Sequence, residues 1–255
     1  LLPGPGSYEL GRVHLLERQW ETAFELVWSA GMHIDLHWPL PAEFRMIEWV
    51  ANPDSYWRSV DPVVQAAIGV ASRQARPPAL VLHAAADDET ATRQFLEQLL
   101  DRLVRAGSGV VPVVELRAPA GIGDNRFDRR LQTLISALEP LGSDAIGICW
   151  DIAHDWEADG QVSRPTAQEM RWIRHVHLHD NRPDGHVHGP VGTGDIPWEQ
   201  PIRHLSETGY SGSVTLEIRY RYATEHGDPW SVLVHSLRRV RSVLEEEQLE
   251  SHAHR

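Results

Sequence analysis

Four side chains that can bind a divalent metal ion follow one another along the chain, each at the end of a short apolar run. Glu115 ends VVE, Asp151 ends ICWD, His177 ends HVH and Glu217 ends VTLE. A carboxylate in an apolar strand is costly unless a cation lies beside it. An ion pair with Arg would explain one such residue, but four in succession favour a metal. Carboxylate and imidazole ligands suit Mn²⁺, Mg²⁺, Co²⁺ or Zn²⁺.

The strand that carries His177 has an imidazole-rich face. His175, His177 and His179 alternate along the sequence, so a strand directs all three to the same side. We predict that His177 is the metal ligand and that His175 and His179 pack beside it or support it.

The loop that follows this strand reads NRPDGHVHGPVGTGDIPW and contains a D-x-H-x-H cluster, Asp184, His186 and His188. This is either a polar Gly/Pro loop or a second group of ligands above the site. His37 and His83 end two other apolar runs, IDLH and LVLH, and could join that group. A single His at a strand end is more often structural, but two in line with the other site residues favour a function.

The elements that must position these residues alternate between strand-like and helix-like segments. Helical spacing of apolar residues predicts helices at Trp20–Ser29, Arg93–Arg105, Arg126–Leu138 and Ser231–Leu244. Short runs rich in Val, Ile and Leu predict strands that are buried on both faces. This alternation is typical of parallel strands joined by helices. The predicted strands are Arg12–Leu16, His33–His37, Ala79–His83, Val111–Leu116, Ile146–Ile152, His175–His179 and Ser213–Ile218.

Length and strand ends favour an α/β fold of the (β/α)₈ TIM-barrel type. The 255 residues suit one such barrel. An open doubly wound sheet would gather its site at one crevice, whereas here polar residues end nearly every strand. Only seven strands are evident, so either one strand has an atypical sequence or the first βα unit is missing. Since no linker divides the sequence, we expect a single domain over residues 1–255, with 245–255 a frayed, solvated tail.

Composition argues against several classes of function. The net charge of -12 makes nucleic acid an unlikely partner, because such partners are bound through basic surfaces. All 24 basic residues are Arg, which rules out lysine Schiff-base chemistry. The sequence contains no run of about 18 apolar residues, so it predicts no membrane span. The single Cys149 cannot form an internal disulfide, and a cytoplasmic location is the expectation.

Several motifs resemble those of the xylose isomerase-like TIM-barrel superfamily, over roughly residues 34–217. They are CWDIAHDW, HVHLHDN followed by GTGDIPW, LSETGY and GSVTLEI. That group includes sugar phosphate isomerases and epimerases and the endonuclease IV-type apurinic endonucleases (AP endonuclease family 2). The isomerase branch implies that Glu115, Asp151, His177 and Glu217 bind the ion and that the two Glu residues form the acid–base pair. The family's first strand and helix are not evident upstream of residue 12.

The endonuclease branch implies further metal ligands. By resemblance these are His37, His83, His154, Asp184 and His186, and ELRAPAGIG resembles that branch's Glu-containing strand and Gly-rich loop. Isomerase-like relatives of uncharacterised activity keep the same D-x-H loop, so these residues do not decide between the branches.

Two enzyme classes therefore stand as hypotheses. The first is a divalent-metal-dependent isomerase or epimerase of a small sugar, sugar phosphate or hydroxy-keto acid, acting through a cis-enediolate with Glu115 and Glu217 as catalytic acid and base. His154 and Arg182 are candidates for substrate binding, although Arg182 could equally pair with a surface carboxylate. The alternative is a di- or trinuclear metal phosphoesterase resembling endonuclease IV. A barrel that only binds a ligand is disfavoured by the intact Glu pair.

The expected partner is a small carbohydrate-like molecule, and no interaction with a membrane is expected. The oligomeric state stays open, with a homo-oligomer as one alternative. Specificity is expected in loops such as Pro39–Asp61, where Trp49, Tyr56 and Trp57 either stack on a sugar or pack the barrel edge.

Overall fold

The computed structural model describes most of the chain. The described residues are 22, 24–38, 46–85, 88–118, 126–182 and 187–253, with side chains described up to residue 245 apart from that of residue 47. The predicted strand Arg12–Leu16 lies outside them. The chain divides into two compact units, Leu1–Val114 with Pro140–Ile146, and Glu115–Glu139 with Gly147–Arg255. The single-domain assignment stays a prediction. No helix among the described residues is long and apolar enough to cross a membrane.

The first unit contains parallel strands with helices between them. Leu80 of the second strand lies opposite Leu36 of the first, and Ala79 lies opposite Val111 of the third. A helical stretch at residues 24–29 precedes these elements. The elements are β1 (Leu36–His37), α1 (Met46–Ala51), α2 (Pro53–Ala71), β2 (Ala79–Leu82), α3 (Glu89–Arg105) and β3 (Val111–Glu115), whose last residue belongs to the second unit.

β1 is shorter than the predicted strand His33–His37 because side chains occupy its first backbone groups. The amide of Gln74 accepts the N–H of Ile34 at 3.2 Å and donates to the Ile34 carbonyl at 3.0 Å. The carboxylate of Asp35 accepts the N–H of Ala79 at 2.7 Å. Side-chain hydrogen bonds therefore replace the expected strand pairing.

The predicted specificity loop is largely helical. α1 ends at Ala51 and α2 begins at Pro53, so only Asn52 separates them. The side chain of Asn52 accepts the N–H of Ser55 at 3.2 Å and caps α2, while Pro53 occupies the first turn, where its missing N–H costs nothing. Residues 39–45 of the predicted loop lie outside the described residues.

Aromatic side chains from these helices form the core of the first unit. Phe95 of α3 is fully buried and stacks on Trp57 with ring centroids 5.0 Å apart. Trp49 and Tyr56 each meet the Phe95 ring at 5.8 Å, edge to face. All three predicted sugar-stacking candidates are buried. These side chains were expected either to stack on a sugar or to pack the barrel edge, and the structure shows them packed in the core of the first unit.

The second unit carries the other three strands, which also pair in parallel. Asp151 lies opposite His177, and His177 lies opposite Thr215. Parallel pairing places the carboxyl ends of the strands at the same edge of the sheet. The elements are a 3₁₀ turn (Phe127–Arg129), α4 (Leu131–Leu138), β4 (Gly147–Asp151), α5 (Ile152–Asp159), α6 (Ala167–Met170), β5 (Ile173–Leu178), α7 (Glu199–Glu207), β6 (Ser213–Leu216), α8 (Tyr220–Glu225) and α9 (Pro229–Ala253); a second 3₁₀ turn covers Glu139–Leu141.

The last helix is longer than predicted. α9 extends through Ala253, so the backbone of residues 245–253 is helical where the sequence predicts a frayed tail. This segment reads EEEQLESHA, and Glu, Gln, Leu and Ala are good helix formers that extend a helix already begun.

The aromatic core gives a first testable prediction. Phe95→Ala should lower the free energy of unfolding by about 3–5 kcal/mol, because it removes a fully buried ring and leaves a cavity. Urea unfolding of the full chain measures the change. Val104→Ala is the control on the same helix, since Val104 is 73% exposed and its truncation should change stability by less than about 0.5 kcal/mol. Equal effects of the two substitutions would contradict this account of the core.

Candidate metal and active site

The four predicted ligands lie together at the strand ends. Glu115 ends β3, Asp151 ends β4, His177 is the penultimate residue of β5 and Glu217 directly follows β6. One ligand atom from each lies within 4.8 Å of those of the other three. Ligand bonds of about 2.0–2.3 Å hold two donors of one ion no more than about 4.5 Å apart. The group therefore has nearly the size that a single ion would impose.

Asp151 is oriented by the helix that follows it. Its Oδ1 accepts the backbone N–H groups of Ala153 at 2.9 Å and His154 at 3.0 Å, so it caps α5. Oδ2 is left to face the site, where it lies 3.2 Å from Nδ1 of His154 and 3.3 Å from Nε2 of His179. The cap fixes which carboxylate oxygen is presented to the group.

His177 lies between the two glutamates. Its Nδ1 is 3.6 Å from Oε1 of Glu115 and 3.4 Å from Oε2 of Glu217. Asp151 and His177 are buried, and 20% of the Glu217 side chain is exposed, which leaves this residue open to a small molecule.

Two acceptor oxygens support the fit of a cation to this group. Oδ2 of Asp151 and Oε2 of Glu217 are buried without a well-formed hydrogen bond from any described residue. Their nearest side-chain nitrogens lie at 3.2 Å or beyond. A divalent ion would satisfy both oxygens, and three carboxylates with one imidazole suit Mn²⁺, Mg²⁺, Co²⁺ or Zn²⁺.

The charges of the group are strongly coupled. Burial opposes ionisation of Asp151, but His154 and His179 outweigh it and lower the pKa of the carboxyl group. Burial likewise opposes ionisation of Glu217, but the neighbouring imidazole of His177 outweighs it and lowers the pKa of this carboxyl group. Burial disfavours the protonated ring of His177, yet Cys149 and Glu115 raise its pKa well above the usual value. The site therefore favours ionised carboxylates beside positive charge.

A second group of three imidazoles lies beside the first. One ligand atom from each of His154, His179 and His188 lies within 4.8 Å of the other two. The rings of His179 and His188 stack at 4.0 Å, and His154 meets them edge to face at 5.3 and 5.6 Å. Sequence reasoning selected His154, but it assigned His179 to a packing or supporting role and took His188 only as part of the loop cluster. Two sequence features could have indicated this group: the three histidines that share one face of the strand HVHLH, and the histidines of the loop that follows it.

The remaining candidates are placed as follows. In the first unit, the rings of His37 and His83 meet edge to face at 5.3 Å. Nε2 of His175 lies 3.0 Å from Oγ1 of Thr215, and the supporting role of His175 stays a prediction. Arg182 is exposed. The candidates Asp184 and His186 lie outside the described residues.

The loop after β5 is held by Asp180, which sequence reasoning did not select. Its carboxylate accepts the N–H of Gly192 at 2.8 Å and that of Ile196 at 3.2 Å. A Cβ at Gly194 would come within 2.3 Å of the carbonyl oxygen of Asn181. The GTG motif thus allows the returning loop to approach the strand end closely, which fixes its base beside the site.

Comparison with known proteins assigns the fold. The family model described as xylose isomerase-like TIM barrel matches residues 13–243. A xylose isomerase domain protein of Alicyclobacillus acidocaldarius superposes with a TM-score of 0.66 at 19% identity, covering 92% of this chain and 88% of the other. D-psicose 3-epimerase of Clostridium cellulolyticum H10 superposes with a TM-score of 0.66 at 15% identity, covering 93% of this chain and 85% of the other. 3-keto-D-glucoside 4-epimerase of E. coli superposes with a TM-score of 0.62 at 15% identity, covering 91% of this chain and 85% of the other. The predicted TIM-barrel fold is confirmed.

A curated relative matches over a shorter stretch. The uncharacterized protein MJ1311 of Methanocaldococcus jannaschii is 28% identical over 88 residues, which is 34% of this chain and 30% of that protein. The chain thus matches less than a third of this relative's length.

Binding of an ion should stabilise the folded protein. We expect Mn²⁺ added to chelator-treated protein to raise the melting temperature, since an ion at 100 times its dissociation constant contributes about 2.7 kcal/mol. Asp151→Asn should abolish most of this increase, because it removes the charge of the central carboxylate. Differential scanning calorimetry measures the shift.

Asp159→Asn is the matched control. Asp159 lies on the same helix, and its contact with Arg130 is at the surface. It should keep the full Mn²⁺ response. An unchanged response in the Asp151 variant would remove this residue from the predicted ligands.

Proposed function

The chain belongs to the xylose isomerase-like TIM barrel family, and from this premise we propose that it is a divalent-metal-dependent isomerase or epimerase of a small sugar, sugar phosphate or hydroxy-keto acid. The observation that carries the proposal is the arrangement of two glutamates about one imidazole: Glu115 and Glu217 each lie within 3.6 Å of Nδ1 of His177. Proton transfer at carbon needs two such carboxylates, one to accept the proton and one to return it.

Glu115, Asp151, His177 and Glu217 would hold the ion. When bound, it polarises the carbonyl of an open-chain substrate and makes the neighbouring C–H more acidic. The unsatisfied oxygens of Asp151 and Glu217 support this assignment. The identity of the metal is left among Mn²⁺, Mg²⁺, Co²⁺ and Zn²⁺.

The two glutamates supply the acid–base chemistry. One of Glu115 and Glu217 removes the proton from the α-carbon, and the C–H electron pair moves toward the carbonyl to give a cis-enediolate. The other glutamate enters the step protonated and donates its proton to the opposite face of the same carbon, which epimerises the sugar, or to the neighbouring carbon, which isomerises it once the hydroxyl proton has moved to the other enediolate oxygen. The lowered pKa of Glu217 keeps it a carboxylate able to accept a proton.

Neighbouring groups are suited to hold the substrate. His154 lies beside Glu115 and Asp151, with Nδ1 3.6 Å and 3.2 Å from their carboxylates, and Arg182 is exposed after the β5 strand end. We assign both to substrate hydroxyl groups. Similar solved structures are named for D-psicose and a 3-keto-D-glucoside, which supports a small carbohydrate as the substrate class.

The alternative is a di- or trinuclear phosphoesterase. The group of His154, His179 and His188 favours it, because these imidazoles provide ligands beyond those that one ion needs. Clustered ions would activate water and stabilise a leaving oxygen. The two classes differ in whether a carbon-bound hydrogen exchanges with solvent.

Hydrogen exchange separates the two classes. Incubated in D₂O with a panel of ketoses, ketose phosphates and hydroxy-keto acids, the wild type should exchange the α-hydrogen of its substrate, as followed by NMR. Glu217→Gln keeps the shape and an oxygen donor but cannot carry the proton. It should slow exchange by about 10²–10⁴-fold, the usual contribution of a general acid or base.

Glu207→Gln serves as the control, since Glu207 is an exposed residue at the end of α7. It should exchange at the wild-type rate. No exchange by the wild type, together with hydrolysis of an abasic-site oligonucleotide or a simple phosphate ester, would refute the isomerase assignment and support the alternative.

A further inference from the structure

We propose that Arg219 binds an anionic group of the substrate, a phosphate or a carboxylate, at the mouth of the site. This inference rests on the proposed function and narrows it, because it selects sugar phosphates and hydroxy-keto acids over neutral sugars. It is carried by the backbone hydrogen bonds that orient Arg219, by the exposure of this residue, and by the charge of the groups that surround the site.

The extended chain of β6 continues past its last residue as far as Arg219. The N–H of Glu217 donates to the carbonyl oxygen of Leu178 at 3.1 Å, and the N–H of Arg219 donates to that of His188 at 2.9 Å. The backbone of Arg219 is also extended, with φ −70° and ψ 130°. Both N–H groups therefore point to the neighbouring β5 strand and the loop that follows it. Residues two apart in an extended chain share a face, so the side chains of Glu217 and Arg219 lie on the same side.

The face that these two residues share is the one turned to the site. Oε2 of Glu217 lies 3.4 Å from Nδ1 of His177 and 3.5 Å from Nδ1 of His188. Two residues of extended chain advance about 6–7 Å, so Arg219 lies one such step beyond Glu217, toward the carboxyl edge of the sheet. Active sites of TIM barrels open at this edge. Arg219 is therefore placed above the predicted metal ligands and not among them.

Arg219 is a cation without a counter-ion in the part of the chain that the structure describes. It is exposed, and its side chain makes no ion pair or hydrogen bond with another described residue. Other surface arginines of the second unit do pair, Arg130 with Asp159 at 2.5 Å and Arg164 with Glu207 at 3.2 Å. The guanidinium of Arg219 thus keeps its N–H donors available to a ligand.

The guanidinium group fits an anion in surroundings that are otherwise acidic. Its planar N–H groups match two oxygens of a carboxylate or a phosphate. The three carboxylates of Glu115, Asp151 and Glu217 outweigh the charge of one divalent ion, so an anionic substituent nearby would be repelled without a compensating cation. The net charge of -12 adds to this repulsion. Arg219 supplies the compensating charge while leaving the carbonyl end of the substrate to the metal ligands.

Arg219 can be replaced without removing a helix cap. It occupies the cap position of α8, but its side chain makes no capping hydrogen bond. Arg219→Gln therefore removes the positive charge while keeping a polar side chain. Arg171→Gln is the matched control, because Arg171 is exposed and lies just before β5, at the amino end of that strand and away from the site.

The affinities of three matched compounds test the proposal. Calorimetric titration of Mg²⁺-loaded protein is carried out with ribitol, ribitol 5-phosphate and ribonate. Wild type and Arg171→Gln should bind at least one of the two anions about 10-fold or more tightly than ribitol. Arg219→Gln should weaken binding of that anion by about 10–100-fold, the usual contribution of a hydrogen bond between charged groups, and leave ribitol unchanged. The anion that is weakened identifies the group as phosphate or carboxylate.

Three results would overturn the proposal. They are wild type that binds neither anion more tightly than ribitol, anion affinity in Arg219→Gln equal to that of wild type, and an equal loss of affinity for all three compounds in that variant. None of these measurements depends on hydrogen exchange at carbon. Anion preference without exchange would count against the proposed isomerase function alone, and exchange without anion preference would count against Arg219 alone.

Discussion

Mutual repulsion among three buried carboxylates is the constraint on which the site depends. Glu115, Asp151 and Glu217 converge within 4.8 Å of one another in the second unit, two of them almost completely shielded from water. Such a group is stable only with positive charge at its centre. His177 lies there, and its raised pKa is the response of the protein to that demand. A divalent cation meets the same demand and frees the imidazole to act as a ligand.

The surrounding structure is organised to maintain this convergence. Asp151 uses one oxygen as the cap of α5 and can therefore present only the other to the site. Asp180 receives the N–H groups of the returning loop and keeps its base beside the strand end. Asn181 then connects that loop to the histidines. These hydrogen bonds together hold the β4 strand end and the base of the loop after β5 in place beside the site.

Much of this arrangement could be predicted from the sequence because strand ends impose a simple rule. A polar residue that closes a buried apolar run in a parallel sheet must lie at the carboxyl edge, so Asp151 and His177 were predictable from spacing alone. Interactions between residues far apart in the sequence could not be predicted in this way. The shortened β1 depends on Gln74, some 40 residues away, and the role of the aromatic residues depends on Phe95. The imidazole group required the side-chain orientation of Asn181, which no periodicity encodes.

The direct passage from β4 into α5 has a consequence for how this site can diversify. Asp151 is both the last residue of the strand and the cap of the helix, which starts at Ile152. With no connecting segment, an insertion at this junction would displace the carboxylate and uncap the helix together. Changes in sequence that alter the site without moving this carboxylate are therefore expected away from the junction of β4 and α5. Of the connections described here, this junction should tolerate insertions least, and redesign of the site should leave Asp151 and Ile152 unchanged.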